Sequence, residues 1–435
     1  VFYGWWMVSA GTALQIIIGG LMFQSFSSYA AVLREEFGWS KTALSAAFSM
    51  SRVESGLLGP AQGWLIDRFG PAAMIRVGIV IMTAGFLVFS QVHSLWHFYV
   101  AFLLIAVGSS LAGFMTLTVA IVNWFERKRA RALGLMSAGM AIGGLLVPVV
   151  AFSLDAYGFR WTAFGAAIVI MVGGQALATF IRRQPEDHGL SVDGAEPFGA
   201  AVRDGGGGQV RSVTGAQDFT AREAMRTRAF WFISLGHASA LLVVSAVMVH
   251  LVLHINESLG YSLGEAGLVV AMMTGFQIVG QVGGGMAGDY FNKRVIVVAC
   301  MAGHALGLVL LAFATAFWMI ILFAMLHGLA WGTRGPLMQA MRADYFGRTS
   351  FGTIMGFSSM IVMLGMTFGP IFAGLMADRT GNYEAGFTVL AGLAALGSVF
   401  FILAAPPAPP ARVDATREGR EGRSEGLGAT QEASR

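Results

Sequence analysis

The chain has 435 residues, 56% of them hydrophobic and only 12% charged, with a mean hydropathy of +0.67. A soluble protein long enough for two or three domains needs more polar surface than that, so the composition excludes ordinary soluble enzyme folds. A single cysteine, Cys300, excludes a disulfide framework, a cysteine-rich zinc site and a thiol pair, and the basic loops account for the net charge of +4 without a nucleic-acid partner.

An apolar stretch of roughly 20 residues crosses a bilayer, and such stretches follow one another almost from end to end. The pattern predicts an all-α membrane protein with twelve transmembrane helices, over residues 5–33, 41–66, 72–92, 95–124, 131–154, 160–181, 229–256, 263–287, 294–315, 317–341, 350–377 and 384–404. Residues 182–228 are rich in glycine and charge, with Gly205 to Gly208 in a row, and read as a cytoplasmic linker. The predicted organisation is a six-helix bundle over 1–181, that linker, a second bundle over 229–404, and a disordered cytoplasmic tail over 405–435. Lys and Arg flanking membrane helices are retained on the cytoplasmic side. With the N-terminus inside, only Arg34, Lys41, Arg160 and Arg379 fall outside, Arg52 and Arg334 fall within helices, and the remainder of the 28 basic residues are cytoplasmic. The cluster Arg127, Lys128, Arg129 and Arg131 alone almost fixes this orientation, which predicts a multi-pass inner-membrane protein with both termini cytoplasmic.

The end of helix 2, Gly63-Trp64-Leu65-Ile66-Asp67-Arg68-Phe69-Gly70, is echoed by the end of helix 8, where Gly285 stands four residues before Asp289. A carboxylate at the membrane–water boundary can cap a neighbouring helix N-terminus or pair with loop arginines. Helix 5, with Gly139, Gly143, Gly144 and Pro148, is echoed by helix 11, with Gly365, Gly369, Pro370 and Gly374. Both echoes are six helices apart, the pattern of a duplicated six-helix unit whose halves rock about a central site. Gly63, Asp67, Arg68 and Gly70 match the Gly-x-x-x-Asp-Arg-x-Gly signature of the major facilitator superfamily, which the whole chain resembles. The resemblance implies gating roles for Asp67 and Arg68, with Asp289 as their counterpart in the second half. Pro71 and Ala72 stand where that superfamily usually has a basic pair. Tyr3-Gly4-Trp5-Trp6 resembles the monocarboxylate transporter and oxalate/formate antiporter branch, whose anion ligand is a basic residue on helix 8. Here helix 8 offers Gln277 and Gln281 instead.

An ionisable side chain inside a membrane helix costs about 2.5 to 3.5 kcal/mol on insertion scales, so each one needs a partner or a purpose. His327, Trp331 and Arg334 on helix 10 are spaced by four and three, which predicts a single stripe suited to a carboxylate on an apolar body. The structural alternative pairs Arg334 with loop carbonyls. Arg52 and Glu54 fall near mid-membrane on helix 2, about 200° apart around the helix, so one faces the path and the other a neighbouring helix. Glu54 is a proton-coupling candidate, with Arg52 as its companion; alternatively Glu54 is a structural carboxylate held by Arg52 or a backbone donor. Gln15 on helix 1 and His237 on helix 7 are further substrate-binding candidates, and His304 suits hydrogen-bonded packing. His250 and His254 have metal-compatible spacing but no third ligand nearby in sequence, so no metal and no cofactor are expected. The resulting expectation is a monomeric secondary transporter, not an enzyme. It exchanges a small organic anion, such as a carboxylate, against a counter-anion or carries it with a proton. An exporter of amphipathic compounds and a non-transporting membrane receptor are the alternatives.

Overall fold

The computed structural model describes residues 2–194 and 218–410; within that range the side chains of Lys41, Thr42, Ser45, Phe48, Ser49, Arg52 and Leu263 are outside the description. Among the described residues the protein is all helical, with ten helices long and apolar enough to cross a membrane. One of them, Arg129–Ala178, spans 50 residues, more than twice what a bilayer needs. It turns at Gly158, whose φ of +75° is open to glycine at no steric cost. A further segment, Lys41–Leu57 continued by Gly59–Phe69, completes twelve.

The twelve are α1 (Gly4–Phe37), α2 (Lys41–Leu57 with Gly59–Phe69), α3 (Pro71–Ser90), α4 (Leu95–Trp124), α5 (129–157), α6 (159–178), α7 (Arg228–Ser258), α8 (Leu263–Tyr290), α9 (Lys293–Ala312), α10 (Phe317–Phe346), α11 (Phe351–Thr380) and α12 (Glu384–Leu403). Their ends carry local stop and start signals. Ser40, Ser94 and Thr227 accept from the backbone of the first turn of α2, α4 and α7, and Ser262 with Glu265 closes a reciprocal capping box on α8. The segment between the halves is not featureless: Glu186–His188 and Ala221–Arg226 are short helical turns. Its glycine run and the tail beyond 410 lie outside the described residues.

Small residues set how the helices meet. In the first half a side chain on Gly20 of α1 would meet the Gly143 carbonyl oxygen of α5 at 2.7 Å. In the second half Gly365 and Gly369 of α11 lie against the Ala238 and Leu242 carbonyls of α7. The glycine echo between helices 5 and 11 is thus one packing arrangement used twice, α5 on α1 and α11 on α7. The halves meet in the same paired way. Gly63 of α2 abuts Gly352 of α11, while Gly285 of α8 would place a Cβ 2.7 Å from the Ala130 carbonyl oxygen of α5.

Candidate functional site: a buried cationic cluster and a closed basic end

One end of the molecule carries the basic loops, and there the two halves are tied together. Asp67 at the end of α2 accepts from the Gly352 and Thr353 amides (2.9 and 2.8 Å) and the Thr353 hydroxyl (2.7 Å) at the start of α11. Asp289 at the end of α8 accepts from the Ala130 and Arg131 amides (3.0 and 3.3 Å) at the start of α5. Each carboxylate therefore satisfies the orphan N–H groups and the positive end of a helix belonging to the opposite half. Asp344 near the end of α10 adds ion pairs to Arg129 of α5 and to Lys293 of α9. Arg348 reaches the Asn123 carbonyl at the end of α4 and the Glu186 carboxylate, and its own amide donates to Asp218. Arg68 is exposed and lies beside Trp64 and Phe69 of its own helix.

Deep in the second half, α10 carries Arg334 with no measurable exposure, and none of its three guanidinium nitrogens has a hydrogen-bond partner among the described residues. The acidic residues of α7 to α12 are Glu257, Glu265, Asp289, Asp344, Asp378 and Glu384, all at or near helix ends, so the interior of this half contains no carboxylate. A guanidinium presents five donors and does not give up its proton readily. Leaving it dry and unpaired is costly, and a bound anion supplies both the charge and the bidentate acceptors it lacks.

Around it lie groups from two other helices and from α10 itself. Arg334 acts electrostatically on His237 of α7, on Cys300 and His304 of α9, and on His327 and Arg342 of α10 itself. Arg342 donates to His237 Nδ1 (2.9 Å), to the Ser358 hydroxyl of α11 (2.7 Å) and to Gln339 Oε1 (3.0 Å). His327 Nδ1 lies 3.1 Å from His304 Nδ1. The predicted stripe of His327, Trp331 and Arg334 is divided in burial: His327 and Arg334 are inside the half, while Trp331 is half-buried.

Arg342 is a correction to the sequence reading, which left it among the cytoplasmic basic residues. It is 2% exposed. The expected end of helix 10 at residue 341 fell one position short of it, whereas the helix continues to Phe346. Its place eight residues after Arg334, on much the same helical face, was the available signal.

In the first half Gln15 of α1 is fully buried, and neither its Oε1 nor its Nε2 has a partner among the described residues. Glu54 is buried in α2: Oε1 accepts from Gln62 Nε2 (2.9 Å), Oε2 accepts from the Ser110 hydroxyl of α4 (2.9 Å), and the Ser55 hydroxyl lies 3.0 Å from Oε2. The sequence reading missed these neutral donors because Ser55 adjoins Glu54 in sequence, Gln62 follows it by about two helical turns, and Ser110 comes from α4. Arg52, named as its companion, has a side chain outside the described residues. His250 is occupied by the Tyr383 hydroxyl and the Pro370 carbonyl, and His254 by the Leu311 carbonyl. No group of three potential metal ligands occurs among the described residues.

Twelve apolar helices in two pseudo-symmetric bundles, joined by paired helix-end contacts around buried polar groups, define a polytopic membrane transporter. The sequence profile of the Major Facilitator Superfamily matches residues 12–253 and 233–432, and the chain belongs to that superfamily. It is 24% identical over 365 residues to the oxalate:formate antiporter of Oxalobacter formigenes, covering 81% of this chain and 80% of the relative. It is 25% identical over 424 residues to monocarboxylate transporter 13 of Bos taurus, covering 94% and 92% of the two chains. Among solved structures, the fucose transporter FucP in its outward conformation has a TM-score of 0.71 at 15% identity, covering 92% of this chain and 99% of that one. These proteins are membrane transporters and not enzymes.

Proposed function

We propose that this transporter moves a small organic anion, a carboxylate, across the inner membrane by alternating access, with proton symport or anion exchange as its driving process. The observation that carries this reading is Arg334: a fully buried guanidinium that, among the described residues, has no partner and lies in a half of the molecule with no interior carboxylate. Similarity to transporters named for oxalate, formate and monocarboxylates supports the same substrate class. In this proposal Arg334 holds the anionic group, with Trp331, His327 and His237 beside it on the second half and Gln15 offering an amide from the first. Glu54, with Arg52, supplies a carboxyl whose charge state selects the facing state. Asp67, Arg68 and Asp289 form the gate at the basic end, which faces the cytoplasm together with both termini.

The domain limits proposed are those of the sequence: bundles over 1–181 and 229–404, a linker over 182–228 and a tail over 405–435. Uptake of labelled oxalate, formate and lactate into proteoliposomes preloaded with the same unlabelled anions tests the substrate class. Exchange of at least one of the three that is lost in Arg334→Gln is expected. Exchange at the parental rate in that variant assigns Arg334 to structure alone.

A further inference from the structure

Between α9 and α10, His304 and His327 form a pair inside the second half. Both are fully buried, their ring centroids are 4.5 Å apart, and Nδ1 faces Nδ1 at 3.1 Å. A hydrogen bond between two Nδ1 atoms fixes the tautomers. One ring carries its hydrogen on Nδ1 and donates, while the other accepts and carries its hydrogen on Nε2. The donor ring is left with a bare Nε2 lone pair. Neither Nε2 has a partner in the protein among the described residues, so whichever ring donates, one basic nitrogen is vacant.

We infer that the His304–His327 pair is the site at which a proton binds together with the anion held at Arg334. This rests on the anion reading of Arg334 given above. A solvent hydronium ion that gives its proton to the vacant Nε2, leaving water, converts the donor ring to an imidazolium, whose Nδ1–H keeps its bond to the second ring and strengthens it by charge. No bond in the protein breaks, and the site gains one positive charge.

The surroundings decide when that charge is tolerated. Arg334, on the same face of α10 as His327, acts electrostatically on both rings. Cys300 lies one turn from His304 on α9, and His237 and Arg342 complete the cluster toward the basic end. Of the helices packed on this pair, α12 brings only Glu384 at its far end, and α8 brings Glu265, Asp289 and Tyr290 at its ends. With Arg334 uncompensated, a second cation nearby is repelled. An anion on Arg334 cancels that repulsion, so anion and proton each favour the binding of the other, which is the linkage a symporter requires. Glu54 lies in the opposite half and acts on which way the site faces rather than on this linkage.

The test uses the purified full-length protein in detergent, with oxalate, formate and lactate as probes. Proton uptake is read by an indicator dye in weakly buffered solution, and affinity by calorimetry between pH 5.5 and 7.5. The parent is expected to take up about one proton per anion bound, with affinity rising by up to about tenfold per pH unit as pH falls. His304→Gln, which removes the ring paired with His327, should still bind the probe, without proton uptake and with a flat pH profile. Proton uptake by the parent is a readout that stands even where the histidine variant does not fold. Binding without proton uptake by the parent, or uptake persisting in His304→Gln, overturns the inference and leaves the anion site intact. Failure of all three probes to bind, or binding unchanged in Arg334→Gln, overturns the anion site itself.

Discussion

Arg334 and Glu54 show how differently two buried charges can be housed. Glu54 is surrounded by neutral donors from Gln62, Ser110 and Ser55, which satisfy its oxygens without cancelling its charge. Among the described residues Arg334 has neither acceptors nor a counter-charge. Replacing Arg334 by Gln is therefore expected to weaken anion binding on the order of 100-fold, the cost of losing one partner of a desolvated charge pair. Lys retains the charge but not the planar fork and should lose only about tenfold, as equilibrium binding would record. Glu54→Gln keeps the shape and imitates the protonated state. It should abolish accumulation driven by an imposed pH gradient while sparing exchange at equal concentrations in proteoliposomes. Accumulation at the parental level would make Glu54 a structural carboxylate. Charges buried in apolar runs were legible in the sequence because a membrane helix makes every one of them conspicuous. Their partners were not, since His304 reaches His327 from another helix and Ser110 reaches Glu54 across the bundle.

Among the elements, the paired caps are the most direct consequence of the internal repeat. Asp67 on α2 serves the start of α11, and Asp289 on α8 serves the start of α5, so each half supplies the anion for a helix N-terminus of the other. Asp67→Asn keeps an acceptor oxygen but removes the charge, a change of about 1 to 2 kcal/mol at such a contact. The variant should open the basic end more often, raising the thiol-labelling rate of Ser137→Cys, at a buried position of α5 about two turns in from Arg129, several-fold over the same cysteine in the parent background. Cys300, being buried, contributes little background to that measurement. Equal rates would show that the cap does not hold the gate. Helix count and the Gly-to-Asp spacing were readable because twelve apolar runs and a fixed interval survive in one dimension. The end of α10 was not, because apolarity fades at Arg342 although the helix does not stop there. The continuation to Phe346 depends on tertiary partners for Arg342, namely His237 and Ser358, which belong to helices far away in sequence.

For the whole molecule, close approach at Gly63 with Gly352 and at Gly285 with Ala130 lets the two halves meet along α2–α11 and α5–α8 near the basic end. Gly63→Leu should disrupt that approach and shift the protein away from the arrangement closed at this end, seen as longer spin-label distances between α2 and α11. An unchanged distance distribution would mean that the interface absorbs the side chain locally. The architecture as a whole was legible from composition, repeat and motif, because the bilayer restricts the solutions so severely. The site was legible only in outline: the arginine could be located on its helix, but the absence of any interior carboxylate around it depends on which helices surround it. The most direct test of an Arg334-centred anion transporter is counterflow of labelled oxalate, formate and lactate in proteoliposomes containing the parent or Arg334→Gln. The account predicts saturable counterflow of at least one of these anions by the parent and its loss in the variant, whereas no counterflow of any of the three, or equal counterflow by both proteins, would contradict it.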